Sequence, residues 1–280
     1  MEMQNEEKQL HKEYDRLLEE RNQLRYERDA ILASWSFRIG RILTWFPRKV
    51  RGIRRYMKNS KNMNYCPICN KRSEFKPFGI VSRQKAQCNY CNSLERHRLL
   101  WIFLKRKTAK DKGKNKKLLH IAAEPCLKNK LNVIFKDGYL TADLYDTRAM
   151  IKLDITNIDY PEETFDIIIC NHVFEHVIDD IKAMNEFYRT LKTTGWAMFT
   201  VPIIRKITEE DYAINTPEGR LKAFGQKDHV RAYGPDFIDR LRSVGFTVKP
   251  IKANELMTNV KKTEMNIGND TIFYCEKKER

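Results

Sequence analysis

LLHIAAEPC (118–126), YLTADLYD (139–146), MIKLDIT (150–156) and FDIIICNHVFEH (165–176) are four short apolar runs, each ending on a polar or acidic residue. Apolar runs of this length, bounded by polar or helix-patterned stretches, mark strands buried on both faces of a parallel sheet. In such an open α/β sheet the ligand crevice lies beyond the carboxyl ends of the strands, where strand order reverses. Asp143, Asp154 and Asn171 are therefore expected to converge on one crevice. The first strand should enter a tight turn and then a helix near Glu124 or Pro125, since proline suits a first helical turn. Downstream, IDDIKAMNEFYRTLK (178–192) predicts an amphipathic helix with Ile181, Met184, Phe187, Tyr188 and Leu191 inward. GWAMFTVPI (195–203) supplies a fifth strand, and TVKPI (247–251) with TIFYCEK (271–277) an antiparallel pair at the sheet edge.

Ahead of this α/β region the chain has a different character. Its net charge of +16 is unevenly placed: residues 1–33 carry −3, 34–64 carry +9, 65–117 carry +12 and 118–280 carry −2. A basic block outside a near-neutral domain argues for docking on an anionic surface, phospholipid or nucleic acid, although lysines 105–117 also fit a solvated linker. Apolar runs fall far short of the roughly 18 to 20 residues a bilayer helix needs. The acidic, polar start MEMQNEEKQLHKEYD predicts no signal peptide and a cytoplasmic protein.

Residues 1–33 hold a heptad-like row at Leu10, Tyr14, Leu17, Arg21, Leu24, Arg28 and Ile31, which fits either a dimerising coiled coil or a lone solvated helix. Residues 34–62 mix Trp35, Phe37, Ile42, Trp45 and Phe46 with a cluster of arginines and no acid. That composition suits a helix lying among anionic headgroups or packed on protein. In 63–98, Cys66, Cys69, Cys88 and Cys91 give C-x2-C-x18-C-x2-C, the spacing of two knuckles closing a structural tetrahedral zinc site with no open position. SLERHRLLWIFLKRK (93–107) should be an amphipathic helix joining this ribbon to the domain at 118–280 through Leu99, Leu100, Trp101, Phe103 and Leu104, with a lysine-rich linker completing 99–117. Cys126, Cys170 and Cys275 stand alone and read as small buried hydrophobes.

Taken in order, the four runs and the strand after them resemble a class I S-adenosylmethionine-dependent methyltransferase of the methyltransferase type 11-like kind, over about 160 of the 280 residues. The resemblance implies an α/β, doubly wound, seven-stranded Rossmann-like sheet of order 3-2-1-4-5-7-6, with S-adenosylmethionine as cofactor. It implies that Ala122, Glu124 and Pro125 approach the methionine moiety. Asp143 would accept the ribose hydroxyls, Leu144 and Ile155 would pack on the purine, and Asp154 would bond the adenine amino group. Asn171 and His172 would face the sulfonium and the nucleophile. The pattern departs from the family at the first turn, where an acid followed by Gly-x-Gly is replaced by His120 and Ala122-Ala123-Glu124. Alanine permits close backbone approach but makes a positive φ costly. The coiled coil running into the aromatic-basic stretch is also similar to appendages of surface-polysaccharide enzymes.

The polar stretch 203–233 is long enough to be a lid or binding loop. Gln226, Asp228, His229, Arg231 and Tyr233 are its candidate substrate-binding residues, suited to a glycan or other small hydroxylated acceptor. Methyl transfer needs alignment and water exclusion rather than a catalytic metal, and His229 or His172 is the candidate base for a hydroxyl acceptor. HVFEH also matches the H-x-x-E-H pattern of zinc proteases, which requires both histidines well inside a helix. Here it follows a strand directly, so Glu175 and His176 are expected to fasten helix to sheet. An RNA or DNA methyltransferase using the ribbon as a clamp ranks second, since the chain lacks an Asn/Asp-Pro-Pro-Tyr motif and a cysteine placed to attack a pyrimidine. A non-catalytic adaptor with a degenerate fold ranks third.

Overall fold

The computed structural model describes Glu13, Arg16–Leu17, 19–25 and 27–28, then 63–79, 82–109 and 115–277. The chain divides into two units, Met1–Asn62 and Met63–Arg280. In the first, the described residues between 13 and 28 are helical, and Leu17 and Leu24 are both exposed. The basic aromatic segment 34–62 lies outside the described residues. No helix among the described residues is long and apolar enough to cross a membrane.

The second unit opens with two short hairpins. β1 (Asn64–Cys66) pairs with β2 (Lys71–Ser73), and β3 (Lys76–Phe78) with β4 (Arg83–Gln87). Each is linked to a knuckle closed by an asparagine in the left-handed region, Asn70 at φ 57° and Asn92 at φ 55°, whose amides bond the carbonyls of Cys66 and Cys88. Asparagine tolerates that conformation better than other side-chain-bearing residues, which explains the repeated Cys-x-x-Cys-Asn. Helix α1 (Glu95–Lys107) follows, and its Leu99, Leu100, Trp101, Phe103 and Leu104 are buried as expected.

The central sheet contains β5 (Leu118–Ile121), β6 (Tyr139–Asp143), β7 (Ile151–Lys152), β8 (Phe165–Asn171), β9 (Leu191–Thr200), β12 (Phe246–Lys252) and β13 (Thr271–Lys277). Their spatial order is β12-β13-β9-β8-β5-β6-β7, the expected 3-2-1-4-5-7-6 arrangement, with β13 antiparallel to both neighbours and the others parallel. The run expected as a strand at 150–156 pairs only over Ile151–Lys152, so Asp154 sits in the loop beyond it. Helices α2 (Pro125–Phe135) and α3 (Asp180–Thr190) follow β5 and β8. α3 starts where the Asp179 carboxylate accepts the Lys182 amide, a side-chain N-cap.

The period of two sorts the core. Ile167 and Ile169 of β8, Trp196 and Met198 of β9 and Tyr274 of β13 pack on one face with Leu99, Phe103 and Leu131. Ile168, Cys170, Ala197, Phe199, Phe273 and Cys275 pack on the other, with Phe187 and Phe237. Cys66, Ile68, Phe75 and Cys88 belong to the first cluster, so the ribbon and α1 cover a sheet face. Arg98 ties them down: fully buried, it donates to the carbonyls of Ser93 (2.8 Å), Ala86 (3.1 Å) and Asn266 (2.7 Å) and stacks 4.5 Å from the Phe75 ring.

The stretch 203–233 is structured rather than open loop. It contains β10 (Glu209–Glu210), α4 (Pro217–Phe224) and β11 (Arg231–Ala232), and β10 pairs antiparallel with β11. Thr216 caps α4, and Gly225 ends it at φ 88°. Helix α5 (Phe237–Ser243) then leads into β12.

Replacing Arg98 by alanine leaves three buried carbonyls without their charged donor, which should lower the unfolding free energy by roughly 3 kcal/mol. Urea unfolding followed by tryptophan fluorescence measures it, and a change under about 0.5 kcal/mol would show that the ribbon does not depend on this residue.

Candidate functional site

At the carboxyl edge of the sheet lies a cleft of about 890 Å3, lined by Ala122, Asp143, Leu144, Asp154, Ile155 and His172 among others. Six of the expected cofactor residues thus share one cavity, at the switch point between β5 and β8. Ala122 adopts φ 47°, the left-handed conformation for which glycine would be unstrained, and its amide bonds the Ala142 carbonyl at 2.9 Å. Asp143 Oδ1 accepts the amides of Tyr145 and Asp146, both at 2.8 Å. One carboxylate oxygen therefore organises the loop after β6, and Oδ2 has no partner among the described residues. Asp154 Oδ1 similarly holds the Thr156 amide and hydroxyl. A turn that brings backbone close, a carboxylate with a spare oxygen and the apolar Leu144 and Ile155 fit an adenosyl group: hydroxyls to the acid, purine to the aliphatics.

Glu124, Pro125 and Asn171, expected at the cofactor, do not line the cleft. Pro125 starts α2 and faces solvent. Glu124 is turned into the fold, where Oε2 meets His120 Nε2 at 2.8 Å and Oε1 accepts from Asn171 Nδ2 at 3.1 Å. Asn171 Oδ1 in turn accepts the Thr200 hydroxyl at 3.1 Å. This accounts for the unusual first turn. With histidine on the strand at 120, the carboxylate comes back from position 124, which at φ −66° needs no glycine. Burial pushes the Glu124 carboxyl up, but the His120 hydrogen bond and the charges of His120 and His97 outweigh it and hold it down at about 2.

A second cavity of about 910 Å3 lies beside the first. Its walls come from the ribbon (Phe78, Arg83), the start of α1 (Arg96), the segment after α4 (Gln226, His229) and the loop before β13 (Asp270). Among the described residues, His172 alone lines both cavities. It ends β8 at φ 53°, a strained setting for a non-glycine, with Nδ1 3.3 Å from Glu175 Oε1 and with Nε2 buried and unpartnered.

The five residues expected at the acceptor separate. Gln226 and His229 line the second cavity, and Asp228 lines the first. Arg231 and Tyr233 line neither and are fully buried. Arg231 donates to the carbonyls of Phe174 (2.9 Å), Val177 and Ile178 (2.7 Å) and to Glu210 Oε2 (2.9 Å), while the Tyr233 hydroxyl donates to Asp180 at 2.6 Å. Both are saturated by the protein itself, so they hold the 203–233 segment on the sheet and cannot reach a substrate. His229 is also buried; Nδ1 donates to the Phe224 carbonyl at 3.2 Å, and burial pushes its pKa down. His176, Val173 and Lys182 of the first cavity were not anticipated. Val173 and His176 follow a strand end in a short turn that carries no periodicity to read, and Lys182 stands in the first turn of α3 on its polar side.

In the ribbon the four cysteine sulfurs lie within 4.8 Å of one another, with Cys66–Cys91 at 3.5 Å and Cys69–Cys88 at 3.7 Å. Sulfurs about 2.3 Å from a common zinc stand about 3.8 Å apart in a tetrahedron, so the set could hold that ion. Hydrogen bonding from Cys91 and Ser93 pushes the Cys66 thiol down to about 4, while burial pushes Cys69 up to about 11.

Residues 126–199 match the family model described as a methyltransferase domain. The match covers about a quarter of the chain, and with the strand order above it gives this α/β region a methyltransferase fold. Similar solved structures include an S-adenosylmethionine-dependent methyltransferase from Archaeoglobus fulgidus, at 14% identity and TM-score 0.41 over 64% of this chain and 93% of that one. Another, from Mesorhizobium loti, has 12% identity and TM-score 0.43 over 63% of this chain and 97% of that one. No curated protein matched. S-adenosylmethionine is the cofactor that the domain match supports.

Because the Glu124 carboxyl is held below its ordinary 4.5, it stabilises the fold fully above that pH, and the contribution is lost as pH falls toward 2. Glu124→Gln should cost roughly 2 to 3 kcal/mol at pH 7 and almost nothing near pH 2. Urea unfolding of both proteins across that range checks the sign, and a gap independent of pH would refute it.

Proposed function

We propose that this enzyme transfers a methyl group from S-adenosylmethionine to a hydroxyl, or alternatively a carboxylate, of a glycan or small polyhydroxylated acceptor, in cell-surface polysaccharide assembly. The observation that carries this reading is the position of His172 on the wall common to both cavities. The first takes the adenosyl group against Asp143, Leu144, Asp154 and Ile155. The second, with Arg96, Gln226 and Asp270 among its walls, offers donors and acceptors suited to several hydroxyls. When bound, S-adenosylmethionine supplies an electrophilic methyl on a positively charged sulfur.

His172 supplies the base. Glu175 beside Nδ1 favours the tautomer with its hydrogen there, leaving an unpartnered lone pair on Nε2; that nitrogen is buried, so the acceptor must displace the wall at His172 to give it a proton. His229 lines only the second cavity and lies outside the cofactor cleft, so it bounds the acceptor rather than serving as base. Zinc held by Cys66, Cys69, Cys88 and Cys91 is structural, since four thiolates leave no open position. The basic segment 34–62 attaches the enzyme peripherally to the anionic inner face of the membrane, and the N-terminal helix pairs two chains through Leu17 and Leu24, both exposed in the single chain. The nucleic-acid alternative predicts salt-sensitive RNA binding in place of vesicle binding.

Titration calorimetry with S-adenosylmethionine tests the cofactor cleft. Asp143→Ala should weaken binding about 10- to 100-fold, the effect of losing hydrogen bonds to a charged acceptor. His172→Ala should leave that affinity within about threefold and slow S-adenosylhomocysteine release on a panel of nucleotide sugars by about 10² to 10⁴. Unchanged turnover in His172→Ala would remove it as the base. Full-length protein should cosediment with vesicles containing about one-third anionic lipid and not with neutral ones.

A further inference from the structure

We propose that Glu175, His176 and His229 form a second metal site, for a divalent first-row transition ion, at the junction of the two cavities. One ligand atom from each lies within 4.8 Å of the other two. The three come together because the Val230 amide bonds the Glu175 carbonyl at 2.8 Å, and because Arg231 clamps the carbonyls of Phe174 and Ile178 on either side. That docking brings His229, from the segment after α4, over the Phe174–His176 turn that follows β8.

Hydrogen-bond arithmetic points to a cation. A carbonyl only accepts, so the His229 Nδ1 beside the Phe224 oxygen carries its hydrogen and Nε2 presents a lone pair. The Asp228 carboxylate, 3.1 Å from His176 Nδ1, fixes that ring likewise. Glu175 Oε1 is occupied by His172 Nδ1, leaving Oε2. Glu175 Oε2 and His229 Nε2 are both buried and unpartnered, on residues 1% and 3% exposed. Glu175 Oε2 and His229 Nε2, two buried acceptors without a donor, thus share one cluster with the His176 imidazole, an arrangement that a dication satisfies. Carboxylate or carbonyl partners on the far ring nitrogens are the outer shell that metal-binding histidines require.

Ligands about 2.1 Å from one ion stand roughly 3 to 3.5 Å apart, so each gap closes by no more than about 1.8 Å. His176, its side chain 34% exposed, has the freedom to do so. Three protein ligands leave positions open toward the cavities, since His176 lines the first and His229 the second. The ion's role, binding an acceptor oxygen and easing loss of its proton to His172, rests on the function proposed above; the site itself does not.

Cobalt(II) titration of the full-length protein, its cysteine site already filled with zinc, tests the site. One further equivalent should bind, with the weak visible bands of nitrogen and oxygen ligands and no intense thiolate-to-metal absorption. Glu175→Gln and His229→Gln should each abolish that equivalent, with far-ultraviolet circular dichroism and zinc content unchanged. Asp228→Asn, which removes only the outer carboxylate, should weaken it about 10-fold. No additional cobalt in the wild type, or an additional equivalent that survives both ligand substitutions, would overturn the site. Cobalt binding at this site in a protein that fails to bind S-adenosylmethionine would uphold it and refute the methyl-transfer reading instead.

Discussion

A chain of buried polar contacts across the carboxyl edge of the sheet is the constraint on which the catalytic end of this protein depends. The Tyr139 hydroxyl meets His120 Nδ1 at 2.9 Å, His120 Nε2 meets Glu124, Glu124 accepts from Asn171, and Asn171 accepts from Thr200. Those residues belong to β6, β5, the turn after β5, β8 and β9, so one connected network ties four adjacent strands together, reaching β6 through its first residue and the others near their carboxyl ends. Each cavity-lining group is suspended from a strand so fixed: Ala122 beyond β5, Asp143 at the tip of β6 and His172 beyond β8. A network of this kind stabilises only when every member is satisfied, because a half-paired carboxylate in such surroundings costs more than an apolar replacement. That requirement explains why histidine at 120 and glutamate at 124 occur together.

A second buried network holds the 203–233 segment against the sheet. Asp180 receives Arg240 through both oxygens, at 2.9 and 2.7 Å, and also the Tyr233 hydroxyl. Glu210 receives Arg231 and Arg240. Two acids and two arginines from separate elements thus neutralise one another beneath the 203–233 segment. Breaking such a cluster by removing one partner is far more costly than the net gain from forming it, so its contribution is to geometry. It fixes where His229 stands above the Phe174–His176 turn.

The sheet was legible because burial on two faces leaves an unmistakable trace, unbroken apolar runs ending at polar residues, and strand order followed from resemblance. The paired Cys-x-x-Cys motifs were equally plain, since four sulfurs must share one volume for a metal to be held. What could not be read was which polar side chains turn inward. Arg231 and Tyr233 stand in a polar stretch beside His229 and Asp228, and it is the carbonyls of Phe174, Val177 and Ile178 and the Asp180 carboxylate, far earlier in the chain, that make them interior. Glu124 was misassigned for the same reason: its partners, His120 and Asn171, become neighbours only when β5 and β8 pair. Hydrophobic periodicity reports the face of an element, whereas a buried polar group is defined by partners distant in sequence.

The second cavity shows the same dependence at a larger scale. Its walls come from Phe78 and Arg83 of the ribbon, Arg96 of α1, the segment after α4 and the loop before β13, so no contiguous stretch encodes it. The ribbon therefore has two consequences from one packing decision. Cys66, Cys88 and Phe75 join the core against the sheet face, and the adjoining hairpin then extends past the carboxyl edge to bound the space beside His172. An ion held by the four cysteines would in this way set the shape of the second cavity: its loss would free the hairpin, and with it one wall, while the Asp143 cleft on the other side of His172 keeps its own support from β5, β6 and β8. Cofactor affinity and acceptor affinity should accordingly separate in their dependence on the ribbon, because the two cavities share a residue but not a scaffold.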